Sequence, residues 1–339
     1  MVTIADIASE CGTSPATVSK IMNGNDRKIS HLTRERVNEA VRRMGYKPNA
    51  AARGLRKQRA SCIGIYMQPH AISTRYHGSL VDAILLEAEA RGQGVMLFTS
   101  IAKAQGDPRR LMFADGRCDG ILVLSTPEAD LLPIVEQASI PCLCIHNGVL
   151  PGGQSSIDID NRQAGYLLAK HLIEAGHRRI AFFHDGVNKP FSVLRFEGYR
   201  DALQSAGIPL DPRLVLDGVS NLMDGYQQAL RVAADTDLGV TALLCATDVL
   251  ALRAIQALRD TGKSVPSDLS VAGIDGIFDG QTSSPPLTTI SQRSDKLGIE
   301  AVRLLMERIE HPDRAAAHTV WPVELVVRES VGPTATIRA

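Results

Sequence analysis

Few residues in this chain stand at spacings that support covalent chemistry. Gly262-Lys263-Ser264 has the ending of a phosphate-binding loop, whose glycine-rich backbone cradles phosphates. That loop needs glycine five positions before Gly262, and Ala257 stands there. Gly92-Gln93-Gly94 opens like a dinucleotide fingerprint, but Leu97 occupies the third glycine position. There is no G-x-S-x-G elbow and no H-E-x-x-H pair, and the nine histidines form no ligand-spaced cluster. Cys142 and Cys144 fall on one face of a strand, as a metal or redox pair could. Their apolar surroundings favour the alternative, two small buried hydrophobes. The expectation is no enzyme, no cofactor and no metal.

The chemistry that does stand out is electrostatic. Residues 1–60 carry twelve Lys/Arg against five Asp/Glu, while the whole chain has net charge +0. A basic head on an acidic body points to a polyanion bound by the head. No apolar run approaches the roughly 20 residues that cross a bilayer. The start, MVTIADIASE, lacks the basic and apolar stretches of a secretory signal, so the cytoplasm is expected, with no membrane partner.

The elements of the head are marked by their caps. Thr3 and Asp6 resemble a capping box with Asp in the acidic position. Ile4, Ile7 and Ala8 follow at helical spacing until Gly12. Ser14 is an N-cap type and Pro15 suits the first helical position, where its missing N–H costs nothing. A second helix runs through Thr17, Val18, Ile21 and Met22 to Asn23-Gly24, and Ser30 caps a third with Val37, Ala40, Val41 and Met44 as its stripe. Two short helices joined by a tight glycine-containing turn make a helix-turn-helix, whose second helix enters the major groove.

The stretch TIADIASECGTSPATVSKIMNG, followed by ISHLTRERVNEAVRRMGYKPNAAARGLR, resembles the DNA-binding head and hinge of the LacI/GalR family over about sixty residues. The resemblance implies base reading by Pro15, Ala16 and Lys20. Pro15 and Ala16 offer only apolar contact, as to a thymine methyl, and Lys20 can donate to guanine O6 and N7. The family more often has arginine there, so the planar fork is lost; a phosphate contact is the other role open to Lys20. Thr3, Ser14, Thr17, Ser19, Asn23 and Thr33 are placed at the DNA backbone. Residues 1–48 form the head and 49–60 the hinge. In the hinge, Asn49 caps a short helix, Ala52 faces the minor-groove floor and Leu55 is the apolar wedge, with Arg53 and Arg56 near phosphates. Gly54 weakens that helix by up to ~1 kcal/mol relative to alanine, which suits a segment ordered only on DNA. A plain basic linker is the alternative.

Beyond residue 61, apolar runs alternate with helical patterns. Strands read as 62–67, 94–99, 120–124, 142–146, 179–183, 242–246 and 270–274. Helices between them include 77–91, 162–175, 195–206, 223–234 and 249–261. Such alternation gives parallel sheets covered on both faces, and the length suits two lobes. Chain crossings after 160 and near 290 and 320 divide 61–339 into an N-lobe (about 61–160 and 291–320) and a C-lobe (about 161–290 and 321–331). The fold class is therefore α/β, with a small all-α head.

The body also resembles that family's effector domain, in AGHRRIAFF, RFEGYRDAL, VPSDLSVAGIDG, PPLTTI and VELVVRES. This implies a body like the periplasmic sugar-binding proteins, with ligand in the cleft at the carboxyl ends of strands. The matching pocket positions are Asp160, Arg195, Thr247 and Asp275, with Gln68, Arg75, Ser125 and His146 at strand ends of the N-lobe. Arg195 and Asp275 could instead only pair with each other or cap helices. Thr247 replaces the family's common asparagine, and Ser220 stands where some sugar-binding members place an aromatic. Trp321 reads as packing at the third crossing. The expected protein is a transcriptional regulator, most simply a repressor. Its partners are a pseudo-palindromic double-stranded operator, a small polar effector such as a sugar or sugar derivative, and a second copy in a homodimer. The ending VGPTATIRA, without leucine heptads, argues against a tethered tetramer. A solute-binding protein serving transport is the competing class; the head and the missing export signal argue against it.

Overall fold

The computed structural model describes residues 2–47, 59–68, 74–99, 113, 115–124, 131–145, 154–186, 189–216 and 222–334. The chain divides into two compact units, Met1–Ala60 and Ser61–Ala339. The hinge positions Asn49, Ala52, Arg53, Leu55 and Arg56, and Ser125 and His146 of the body, lie outside the described residues.

The first unit has three helices, α1 (Ile4–Glu10), α2 (Pro15–Met22) and α3 (His31–Arg43), each started by the cap its sequence announces. Thr3 Oγ1 accepts from Asp6 N at 3.3 Å and Asp6 Oδ2 accepts from Thr3 N at 2.8 Å, a complete capping box despite the shorter acid. Ser14 and Ser30 accept from the backbone N–H three residues on, at 3.1 and 3.2 Å. Ile7, Ala8, Cys11, Val18, Ile21, Val37 and Ala40 close the core between the helices.

In the second unit the N-lobe sheet has order β11-β5-β4-β3-β1-β2 and the C-lobe sheet β12-β10-β9-β8-β6-β7. The N-lobe strands are β1 (Cys62–Met67), β2 (Gly94–Phe98), β3 (Gly120–Leu124), β4 (Cys142–Ile145), β5 (Ser155–Ile159) and β11 (His318–Trp321). The C-lobe strands are β6 (Ile180–Phe183), β7 (Val215–Leu216), β8 (Ala242–Cys245), β9 (Ser270–Asp275), β10 (Thr288–Ser291) and β12 (Glu324–Val326). All pairings are parallel except β10 with β12. The central strands β1, β3, β4 and β8 are buried apolar runs, as sheets covered on both faces require. Strand β5 (SSIDI) escaped the sequence reading because Ser155, Ser156 and Asp158 are polar, yet all three are buried.

Helices α4 (Arg75–Ala90) and α5 (Leu131–Gln137) belong to the N-lobe, with α11 (Ser294–Glu310) packed on α4. The C-lobe carries α6 (Asn161–Glu174), α7 (Pro190–Ser205), α8 (Leu222–Ala234), α9 (Asp248–Asp260) and α10 (Phe278–Thr282). The chain passes between lobes after β5, after β10 and between β11 and β12. Trp321, at the third passage, packs against cores of both lobes. Helices α6 and α7 meet backbone to backbone: a Cβ on Gly165 would lie 2.0 Å from Arg195 O, and one on Gly198 1.9 Å from Arg162 O. That close approach seats the helix bearing Arg195 against the first passage between lobes.

Candidate functional site

On the head, Pro15, Ala16 and Lys20 are exposed on α2 while Val18 and Ile21 are buried, so the three share the face turned away from the core. The hydroxyls assigned to the DNA backbone are largely engaged in local caps. Thr3 and Ser14 cap α1 and α2, Ser14 and Thr17 hydroxyls lie 2.9 Å apart, and Thr33 meets Ser30 at 2.8 Å. Asn23 Nδ2 donates to Ser19 O at 2.7 Å and fixes the end of α2. These bonds set the helix entry points, and Lys20, the one cation of α2, makes no ion pair among the described residues.

In the body, Arg195 on α7 is buried, and its guanidinium gathers the first passage, a strand end and β9. Nε donates to Asn161 Oδ1 at 2.9 Å, Nη1 donates to Ala246 O, and Nη1 lies 3.4 Å from Asp275 Oδ1. Asn161 in turn donates to Asp158 Oδ1 at 3.3 Å, and Gln292 Nε2 donates to Asp275 Oδ1 at 2.7 Å. Arg195 and Asp275 thus do pair with each other. Arg195 Nη2 and Asp275 Oδ2 keep no hydrogen-bond partner among the described residues. Arg195 Nη2 is therefore left to donate to a ligand, and Asp275 Oδ2 to accept from one when the carboxyl is ionised. The Arg195 guanidinium also sits 4.9 Å from the centroid of the half-buried Phe191 ring, the only aromatic surface stacked on it among the described residues.

Electrostatics at this cluster favour protonation. Burial pushes the Asp275 carboxyl up to about 7; Arg195 opposes the rise and the charge of Asp248 adds to it. Burial likewise pushes Asp248 up to about 6, against hydrogen bonds from Thr289, Ile277 N and Gly276 N. Asp248 is spent on that loop: it accepts from Gly276 N at 2.8 Å and Ile277 N at 2.9 Å, fixing the chain just after Asp275. Tyr76 on α4 is held well above the usual phenol range, by burial first and by the charge of Asp275 second.

The remaining positions fall as follows. Asp160 caps α6, accepting from Gln163 N at 2.8 Å, and is exposed; Asp158, two residues earlier, is the acid that enters the arginine network through Asn161. Thr247 caps α9, accepting from Leu250 N at 3.4 Å. Gln68 follows β1 and is exposed. Arg75 Nε lies 3.3 Å from Asp279 Oδ2, so it joins the two lobes. Sequence reasoning missed Asp158, Asn161, Gln292, Tyr76 and Phe191. The signal available was polar residues at strand ends, Asp158 before the first passage and Gln292 before the second. All six cysteines are free, and the Cys142 and Cys144 sulfurs lie 3.9 Å apart in the core. No helix among the described residues is long and apolar enough to cross a membrane.

A helix-turn-helix head followed by a two-lobed α/β body with a buried polar network at its strand ends defines a ligand-responsive DNA-binding regulator. The chain belongs to the LacI family of bacterial regulatory proteins. Residues 3–49 match the model for bacterial regulatory proteins of that family, and 169–331 match a periplasmic binding protein-like domain. The chain is 35% identical to the HTH-type transcriptional repressor PurR of Haemophilus influenzae, covering 98% of this chain and 99% of the relative. Among solved structures it is similar to the lac repressor dimer bound to operator and the anti-inducer ONPF (26% identity, 98% and 99% covered, TM-score 0.80). It is also similar to the transcriptional regulator CelR–cellobiose complex (30% identity, 97% and 100% covered, TM-score 0.71). An Enterococcus faecium LacI-family regulator with bound ribose shares 25% identity over 80% of this chain and 99% of its own, TM-score 0.71. The chain is a DNA-binding transcriptional repressor with a small-molecule effector, and its relatives are transcriptional regulators.

Proposed function

We propose that this repressor, which has no catalytic activity, works in the cytoplasm as a homodimer on a pseudo-palindromic operator. A neutral, hydroxyl-rich effector of the sugar type controls it from the cleft. The observation that carries the effector reading is the pair of unspent groups, Arg195 Nη2 and Asp275 Oδ2, held by a buried network that reaches two of the three passages between lobes. A hydroxyl both accepts and donates, so vicinal hydroxyls satisfy the two together. Phe191 supplies an apolar face beside them, in place of the aromatic absent at Ser220. Cellobiose and ribose in the solved relatives support this class.

For DNA, Lys20 reads a base in each half-site, Pro15 and Ala16 make apolar contact, and Leu55 enters the minor groove between Arg53 and Arg56. The dimer reading is supported by exposed apolar side chains on α4 (Leu85, Leu86) and on edge strand β2 (Met96, Leu97) of the N-lobe. The test of the effector class is a thermal-shift panel of cellobiose, ribose, other monosaccharides, polyols and sugar acids. A ligand at 100 times its dissociation constant adds roughly 2.7 kcal/mol to stability. A neutral sugar or polyol should stabilise the wild type and not Arg195→Gln. Stabilisation by sugar acids alone, or equally in both proteins, overturns the reading.

A further inference from the structure

The N-lobe contains a second cavity, remote from the cleft. It has a volume of ≈ 110 Å³ and is walled by the amino-terminal ends of β4, β5 and β11, through Leu143, Ser155 and Thr319. The last turns of α11, through Leu304, Glu307 and Arg308, and the following loop, through Arg314, line its other side. The effector cleft lies at the opposite, carboxyl ends of these parallel strands, where Ile159 leads into Asp160. A few waters need far less room than this volume, at about 10–15 Å³ each.

The polar groups around the cavity are unbalanced. Arg308 Nη1 donates to Arg314 O, which ties the loop to the helix, but Arg308 Nε is buried with no acceptor among the described residues. A buried donor without a partner costs about 1–3 kcal/mol, more on a charged group, and calls for a bound water or ion. Glu307 does not meet the need: its Oε1 accepts from Arg303 Nη1 at 2.6 Å, and its Oε2 is 3.7 Å from Arg314 Nη1. The Ser155 hydroxyl accepts from Ala317 N at 3.4 Å and has its proton left to donate. Two guanidinium groups and a hydroxyl therefore border a small space against one carboxylate, Glu307, which is shared between Arg303 and Arg314.

We propose that this cavity is a second ligand site, one that takes a small anion bearing a phosphate or carboxylate group, bound by Arg308 and Arg314 with Ser155. Planar guanidinium forks suit both oxyanions, and charge-assisted hydrogen bonds are the strong kind. The site also has a structural route to the cleft. Helix α11 begins two residues after Gln292, the partner of Asp275, and runs 17 residues, about 25 Å, to end over the cavity. An anion that fixes one end of this rod acts on the segment that passes between the lobes at the other.

The test is calorimetric titration of the full-length protein with inorganic phosphate and, separately, with acetate. The proposal expects saturable binding of at least one of the two, one per chain. It expects binding to be weakened tenfold or more (about 1.4 kcal/mol) in Arg308→Gln and in Arg314→Gln, and to persist in Arg195→Gln. Arg308→Lys, which keeps the charge but loses the fork, should fall between wild type and Arg308→Gln. Thermal melts identify which variants are folded, and Arg314→Gln, in an exposed loop, keeps the test open if Arg308 variants are not. No saturation by either anion below about 10 mM overturns the proposal. So does binding that is lost in Arg195→Gln and kept in Arg308→Gln, which would place the anion in the effector cleft.

Discussion

Replacing Asp275 with Asn separates the cost of the ligand cleft from its use. In the folded protein burial pushes this carboxyl up to about 7, from 3.8 for an ordinary aspartate. The sign follows from linkage: between about pH 4 and about pH 7 the unfolded chain has released this proton and the folded chain still holds it. Stability is therefore full below about pH 4, falls as pH rises, and levels off above about pH 7. Three pH units at about 1.4 kcal/mol each give a loss on the order of 4 kcal/mol. Asn keeps the shape of Asp275 and has no proton to lose. Urea unfolding of the body, followed by circular dichroism from about pH 4 to about pH 8, should show Asp275→Asn gaining on wild type by that order as pH rises. Asp248, pushed up to about 6, adds a slope of the same sign, and because its charge also raises Asp275 the difference reports the two acids together, with Asp275 the larger part. Parallel profiles would refute the reasoning, because they would mean that Asp275 ionises freely in the folded cleft. At the effector site proposed above, that cost would be a trade of stability for ligand binding.

Further perturbations test other parts of the account. Lys20→Ala should cost on the order of 1–3 kcal/mol per contact on the operator and relax preference at one base per half-site; equal losses on operator and random DNA in fluorescence anisotropy would make Lys20 a phosphate contact. Gly198→Ala drives a methyl to 1.9 Å from Arg162 O and 2.6 Å from Tyr166 N, so it should destabilise the C-lobe by about 1–3 kcal/mol or more. Gly78→Ala on α4, whose added Cβ would meet nothing within 4 Å among the described residues, should instead stabilise by roughly 0.5–1 kcal/mol. Chemical denaturation measures both, and equal effects would remove the close-contact argument.

Where local chemistry dictates structure, the sequence was readable. Thr3 with Asp6, Ser14 with Pro15, and Ser30 each mark a helix start through a bond within three or four residues. Strands 62–67 and 120–124 match their apolar runs residue for residue, because a strand covered on both faces has no polar side to blur its ends. Strand β5 and the buried acid within it could not be read that way, since its polar residues are satisfied by partners distant in the chain: Ser156 by His318 at 2.8 Å, and Asp158 by Asn161, which is tied to Arg195. Arg195 and Asp275 were found only through resemblance to known regulators. Gln292 joins Asp275 across 17 residues by one hydrogen bond, and neither periodicity nor composition carries that information.

One measurement reads the coupling between effector site and DNA-binding head directly. Operator affinity is determined by fluorescence anisotropy, on a duplex recovered by selection from random sequence, with and without an effector found in the thermal-shift panel. Wild type should change by about 5- to 150-fold, the usual range of allosteric coupling. Asp275→Ala and Arg195→Ala should bind the operator as the effector-free wild type does and show no response to the effector. A full response in both folded variants would contradict the account, because the effector would then act from a site that these two residues do not build.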